Sequence, residues 1–146
     1  IIIWVLNLSY HLKKIAVGIE TVERLSIRQE MIKESYGTIL HTTRNMPKKR
    51  EDLIKTGSMF WIIKRNVLVR QKIIDIVSVI RSDGSKGCEI ELNKNLIKVI
   101  PTPMKPFQGW RYYLEEDIPR DLNLNKETGE DLPDNINSEL IKLGLY

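Results

Sequence analysis

The chain has one cysteine, Cys88, and two histidines, His11 and His41, among its 146 residues. A single thiol excludes an intramolecular disulfide and fits a reducing compartment, so a cytoplasmic location is expected. A zinc site needs four N, S or O ligands, usually paired at short spacing. Cys88, His11 and His41 stand far apart, and neither a metal nor another cofactor is expected. There is no glycine-rich phosphate loop and no dinucleotide fingerprint. The apolar start, Ile1 to Leu8, is far short of the roughly 20 residues that cross a bilayer, and it lacks a signal peptide's basic flank and cleavage site. No membrane partner is expected, and there are no repeats and no low-complexity tract.

What is present suits one soluble domain, with 42% hydrophobic and 29% charged residues. Residues 1–7, which include no Met, read as an extension outside the domain, and residues 8–146 as one globular unit. The net charge of +4 is unevenly spread. From His41 to Lys72 there are nine Lys/Arg against two acids, and from Tyr113 to Tyr146 three against nine. A basic middle attracts phosphates, and an acidic tail can pair with that middle or repel wrong partners.

The pattern along the chain predicts a strand at His11–Val17 and a helix from Thr21 to Glu34. Thr21 suits its N-cap, Glu23 its first turn, and Val22, Leu25 and Ile32 its core face. A second strand covers Thr38–Thr43. Asn45-Met46-Pro47 opens a short helix that ends at Gly57. Four strands follow, at Ser58–Lys64, Val67–Ile80, Cys88–Leu92 and Leu96–Ile100. The second of these alternates imperfectly, which predicts a bulge. Asp83-Gly84 is a hairpin signal, and Asn93-Lys94-Asn95 reads as another turn. Pro101 to Pro106 reads as an extended connector, Asn123–Asp131 as a mobile loop, and Asp134–Leu143 as a terminal helix. The fold class is α+β: a curled, mostly antiparallel sheet or small barrel with two or three peripheral helices.

Two constellations carry functional content. The segment Phe107-Gln108-Gly109-Trp110-Arg111-Tyr112-Tyr113 gathers rings, a cation and an amide. Aromatic planes with an interleaved Arg stack on flat ligands such as nucleobases. The bland alternative is that these rings plug a core. The other constellation is basic: Arg44, Lys48, Lys49, Arg50, Lys64 and Arg70, with Trp61 nearby. Cations at the start of a short helix oppose its dipole, so helix stability does not account for Lys48, Lys49 and Arg50. Arg70, flanked by apolar residues, needs either a carboxylate partner or a ligand. His41 lies in a strand close to these cations, which should lower its pKa. Cys88, on the apolar side of an alternating strand, reads as packing.

Several segments taken together resemble a small family of short bacterial proteins known as domain of unknown function 1489. They include Arg44-Asn45-Met46-Pro47-Lys48-Lys49, Gly57-Ser58-Met59-Phe60-Trp61-Ile62-Ile63-Lys64 and Pro106-Phe107-Gln108-Gly109-Trp110-Arg111-Tyr112. The resemblance implies a cytoplasmic bacterial protein and supplies no activity. Element order alone is also similar to PUA-like domains, many of which bind RNA. The favoured expectation is non-catalytic recognition of nucleic acid or a nucleotide, RNA ahead of DNA. Lys48, Lys49, Arg50 and Lys64 would meet phosphates. Trp110, Phe107 or Tyr112 would stack, and Gln108 and Arg111 would read polar groups. Two other classes remain: a small enzyme for a phosphorylated or nucleotide substrate, using His41 with Glu51 or Asp52, and a protein–protein adaptor with the aromatic segment as hot spot.

Overall fold

The structure, a computed structural model, describes residues 9–122. Seven strands form one mixed, open sheet flanked by two helices, an α+β fold. The strands are β1 (Tyr10–Ile15), β2 (Ile39–Thr43), β3 (Ser58–Ile63), β4 (Asn66–Ile80), β5 (Lys86–Leu92), β6 (Ile97–Pro103) and β7 (Trp110–Leu114). The helices are α1 (Val22–Tyr36) and α2 (Arg50–Thr56). Spatial order is β2-β5-β4-β3-β1-β7, with β6 also on β4. Only β1 and β3 run parallel; the other pairings are antiparallel. β2 and β7 end the sheet among the described residues, so it does not close into a barrel.

Local chemistry places α1 as its sequence requires. Thr21 Oγ1 accepts the Arg24 amide hydrogen at 3.1 Å, and Gly37 closes the helix in the left-handed region at φ 83°. Leu25 and Gln29 are buried, while Val22 and Ile32 are half-buried. α2 begins at Arg50, three residues after Pro47, because Pro47 is buried against the fold and the chain turns first. Lys48 and Lys49 thus belong to a loop and not to the helix.

β4 organises the sheet. β3 pairs along its first half, from Ser58 opposite Lys72 to Ile63 opposite Asn66. β5 pairs with its second half, ending with Leu92 opposite Ile73, and β6 then takes over with Ile97 opposite Arg70. Asn93-Lys94-Asn95 therefore does not reverse the chain. It is a jog in one long return path after the Asp83-Gly84 turn, stitched down by the Asn93 amide donating to Lys72 O at 2.9 Å. The expected irregularity of β4 is present as register shifts between Ile73 and Asp75 and between Val67 and Val69. β6 extends through Pro101 to Pro103, where a connector was expected. The aromatic segment, expected as a binding stretch, runs from Trp110 on as the end strand β7, antiparallel to β1. The expected mobile loop and terminal helix, and residues 1–7, lie outside the described residues.

Two apolar layers sandwich the sheet. Under the helices lie Leu12, Met59, Trp61, Ile63, Ile73, Ile76, Ile90 and Leu92, capped by Leu25 and Leu53. On the other face Phe60, Ile62, Val67, Val99 and Tyr113 pack under Met104, Phe107 and Ile118. All six residues of β3 are buried as a result. The first layer contains one closed polar network. Trp61 Nε1 donates to Gln71 Oε1 at 3.0 Å, and the amides of Gln71 and Gln29 exchange hydrogen bonds at 2.6 and 2.9 Å. Gln71 Nε2 also donates to Asn93 O at 2.8 Å.

Candidate nucleic-acid interface

Strand alternation divides the aromatic segment. Trp110 and Tyr112 face the helical side with Tyr10 and Lys14 of β1, while Arg111 and Tyr113 face the opposite side. On the helical side the rings form an edge-to-face row. Tyr112 stands 5.8 Å from Tyr10 and 5.0 Å from Trp110, at interplanar angles of 66° and 74°. All three rings are half-buried, so each keeps part of its surface in solvent.

The basic loop between β2 and α2 docks onto this row through two hydrogen bonds. Trp110 Nε1 donates to Asn45 O at 2.7 Å, and the Lys49 amide donates to Tyr112 Oη at 3.1 Å. Residues 65 and 63 positions apart are thereby joined. Lys49 Nζ sits 5.1 Å from the Tyr10 ring centroid, a cation–π distance. Lys48 is exposed and makes no ion pair among the described residues, and Arg44 is exposed at the head of the same loop. The arrangement can hold phosphates on the loop and offer ring faces and edges beside them.

The remaining expected site residues lie elsewhere. Trp61 is 3% exposed and hydrogen-bonded in the core, with His41 edge-on at 5.1 Å, so it has no face for a ligand. Arg50 is committed to the fold: it donates to Ile76 O and bridges Asp75 at 2.9 Å. Arg70 has the carboxylate partner its setting demanded. Nε and Nη2 each donate to Asp121 at 2.7 Å, Nη1 reaches Ser58 Oγ at 3.2 Å, and the Asp121 bonds raise its pKa. Phe107 packs on the second apolar layer, with Arg111 4.8 Å and Lys13 5.8 Å from its ring centroid. Arg111 and Phe107 thus stand on the face opposite Trp110. Gln108 is exposed. Lys64 is exposed on the β3–β4 turn, where Lys64 and Arg65 both take positive φ.

The family model described as Protein of unknown function (DUF1489) matches residues 12–146. The chain belongs to that family. No curated protein and no solved structure matches it. In this DUF1489 chain one pairing escaped sequence reasoning. His11, buried in β1, accepts the Ser58 amide hydrogen on Nδ1 at 3.0 Å, so Nε2 carries the proton and donates to Glu115 at 2.8 Å. The partners are 104 residues apart, and no local pattern announces them. Both ring nitrogens are engaged, which leaves His11 no free lone pair for a base. His41 does have a lowered pKa, but burial leads and the cations are Lys14 and Arg28, not the neighbours in sequence. Neither Glu51 nor Asp52 is among the described residues that line the cavity beside His41. Among the described residues no helix is long and apolar enough to cross a membrane, and none of their His, Cys, Asp and Glu side chains cluster as a metal site.

Proposed function

We propose that this domain is a non-catalytic nucleic-acid recognition module whose ligand is single-stranded RNA. One observation carries the reading: the loop bearing Arg44, Lys48 and Lys49 is hydrogen-bonded to the half-exposed rings Trp110 and Tyr112. Phosphate-neutralising cations and stacking surfaces then share one face, the combination that binds single strands. Lys48 and Arg44 would hold phosphates, and Trp110 and Tyr112 would stack on bases, with Lys49 bridging the two. Element order similar to PUA-like domains agrees with this at the level of analogy. A cytoplasmic location is part of the same proposal, and the free, buried Cys88 is in keeping with it.

Fluorescence anisotropy with a labelled single-stranded RNA tests the proposal. Affinity should fall with salt, each phosphate contact adding roughly 0.7 to the log–log slope. Lys48→Ala should weaken binding and lower that slope by about one contact, with unchanged thermal unfolding, because the Lys48 side chain makes no ion pair among the described residues. Absence of binding at low salt, or binding indifferent to salt, would sink the proposal.

A further inference from the structure

Between β1, β2 and α1 lies a small cavity of about 100 Å³. Lys14 from β1, Arg28 and Gln29 from α1 and His41 from β2 give it a polar wall, and Trp61 closes one side. Every ionisable side chain in that wall is basic. His41 Nε2 is fully enclosed and has no hydrogen-bond partner among the described residues. Lys14 is half-buried with no ion-pair partner among the described residues. Arg28 is tethered nearby, Nη1 donating to Val17 O at 3.2 Å.

This arrangement is costly unless something compensates. Buried polar groups are normally hydrogen-bonded, and buried charges paired. Burial, followed by Lys14 and Arg28, holds the His41 pKa at about 4, and burial also lowers that of Lys14. One anion would meet all three groups at once. The cavity has room for a few non-hydrogen atoms and not for a ribose with its base. Lys14 is the cross-strand neighbour of Trp110, so the cavity adjoins the proposed RNA-facing surface, but the inference does not depend on that reading.

We infer that the cavity is a binding site for a compact oxyanion, a carboxylate or phosphate group, with Lys14 as counter-ion, Arg28 at the rim and His41 Nε2–H as the inner donor. The group would be a free ion or the end of a larger ligand.

The two histidines make the test direct, with His11 as internal control. The imidazole carbon-bound protons are titrated by NMR in chloride and in inorganic phosphate at equal ionic strength. Bound anion should raise the His41 pKa by about one unit or more and leave His11 unmoved. Phosphate should also raise the unfolding temperature of the wild type and not of Lys14→Met. Acetate and phenyl phosphate run in parallel separate a free ion from the terminal group of a larger molecule. An unmoved His41, equal movement of both histidines, or an undiminished response in Lys14→Met would overturn the inference.

Discussion

Trp61 and Trp110 show how position in the sheet decides what a residue does. Trp61 lies in β3, covered on both faces, and its indole N–H must find a partner inside; Gln71 supplies it. Trp110 lies on the end strand, is only half-buried, and uses its N–H to tie down the Asn45 carbonyl. Removing Gln71 is the sharper test. Gln71→Leu strips partners from the Trp61 N–H, the Gln29 amide and the Asn93 carbonyl together. Unsatisfied buried groups cost about 1–3 kcal/mol each, less what the apolar replacement returns, so a net loss of about 2–4 kcal/mol is expected. Urea unfolding measures it; a loss under about 1 kcal/mol would mean the network relaxes around the leucine. Trp110→Ala should cost only about 2 kcal/mol, below the 3–5 typical of a fully buried ring, and should weaken RNA binding as well. A normal RNA affinity in that variant would leave recognition to the loop cations alone.

Elements were legible where the signal is local. The Thr21 cap and the Asp83-Gly84 turn depend on a few neighbouring residues, and each stands where the sequence places it. β7 was not legible, because the stretch from Phe107 to Tyr113 mixes Gly, Arg and rings, and its second half becomes a strand only by pairing with β1, about 100 residues away. The loop–strand contact that forms the candidate site is non-local in the same way. So is the jog at Asn93, whose turn-like residues are overridden by the free edge of β4. Of the candidate site, the residue types were readable, but which side chains converge was not. Arg50 looks like Lys48 in sequence, yet it bridges Asp75, 25 residues away; the apolar neighbours of Arg70 signal a need for a partner, but not that it is Asp121, 51 residues on. The α2–β3 junction permits an element-level prediction. A Cβ on Gly57 would stand 2.7 Å from Leu53 O and 2.8 Å from Tyr10 O, both backbone atoms that cannot swing aside. Gly57→Ala should therefore destabilise by about 1–3 kcal/mol through displacement of α2 from β1. Chemical denaturation reads this, and an unchanged midpoint would show that the helix shifts freely.

Across the whole molecule, charge is partly neutralised from within. Arg70 from the basic middle is bonded twice to Asp121 in the acidic stretch, so the surplus cations outside are fewer than the sequence count suggests. Stability against acid depends on a different group. His41 is held neutral in the fold, its pKa lowered from 6.5 to about 4, chiefly by burial. A depressed folded pKa means the unfolded chain takes up the proton first. The contribution is complete above the unfolded value, declines as pH falls from about 6.5 to about 4, and is exhausted below that. At about 1.4 kcal/mol per unit, the full window is worth about 3 kcal/mol, and the part above about pH 5 roughly 2. His41→Gln removes this titration while the carboxylates still titrate in both proteins. Urea unfolding at about pH 7 and about pH 5, in phosphate-free buffer, should show the wild type losing about 2 kcal/mol more than His41→Gln. Equal losses would mean that the ring takes up its proton inside the fold at an ordinary pH, and that solvent reaches the Nε2 atom enclosed beside Lys14.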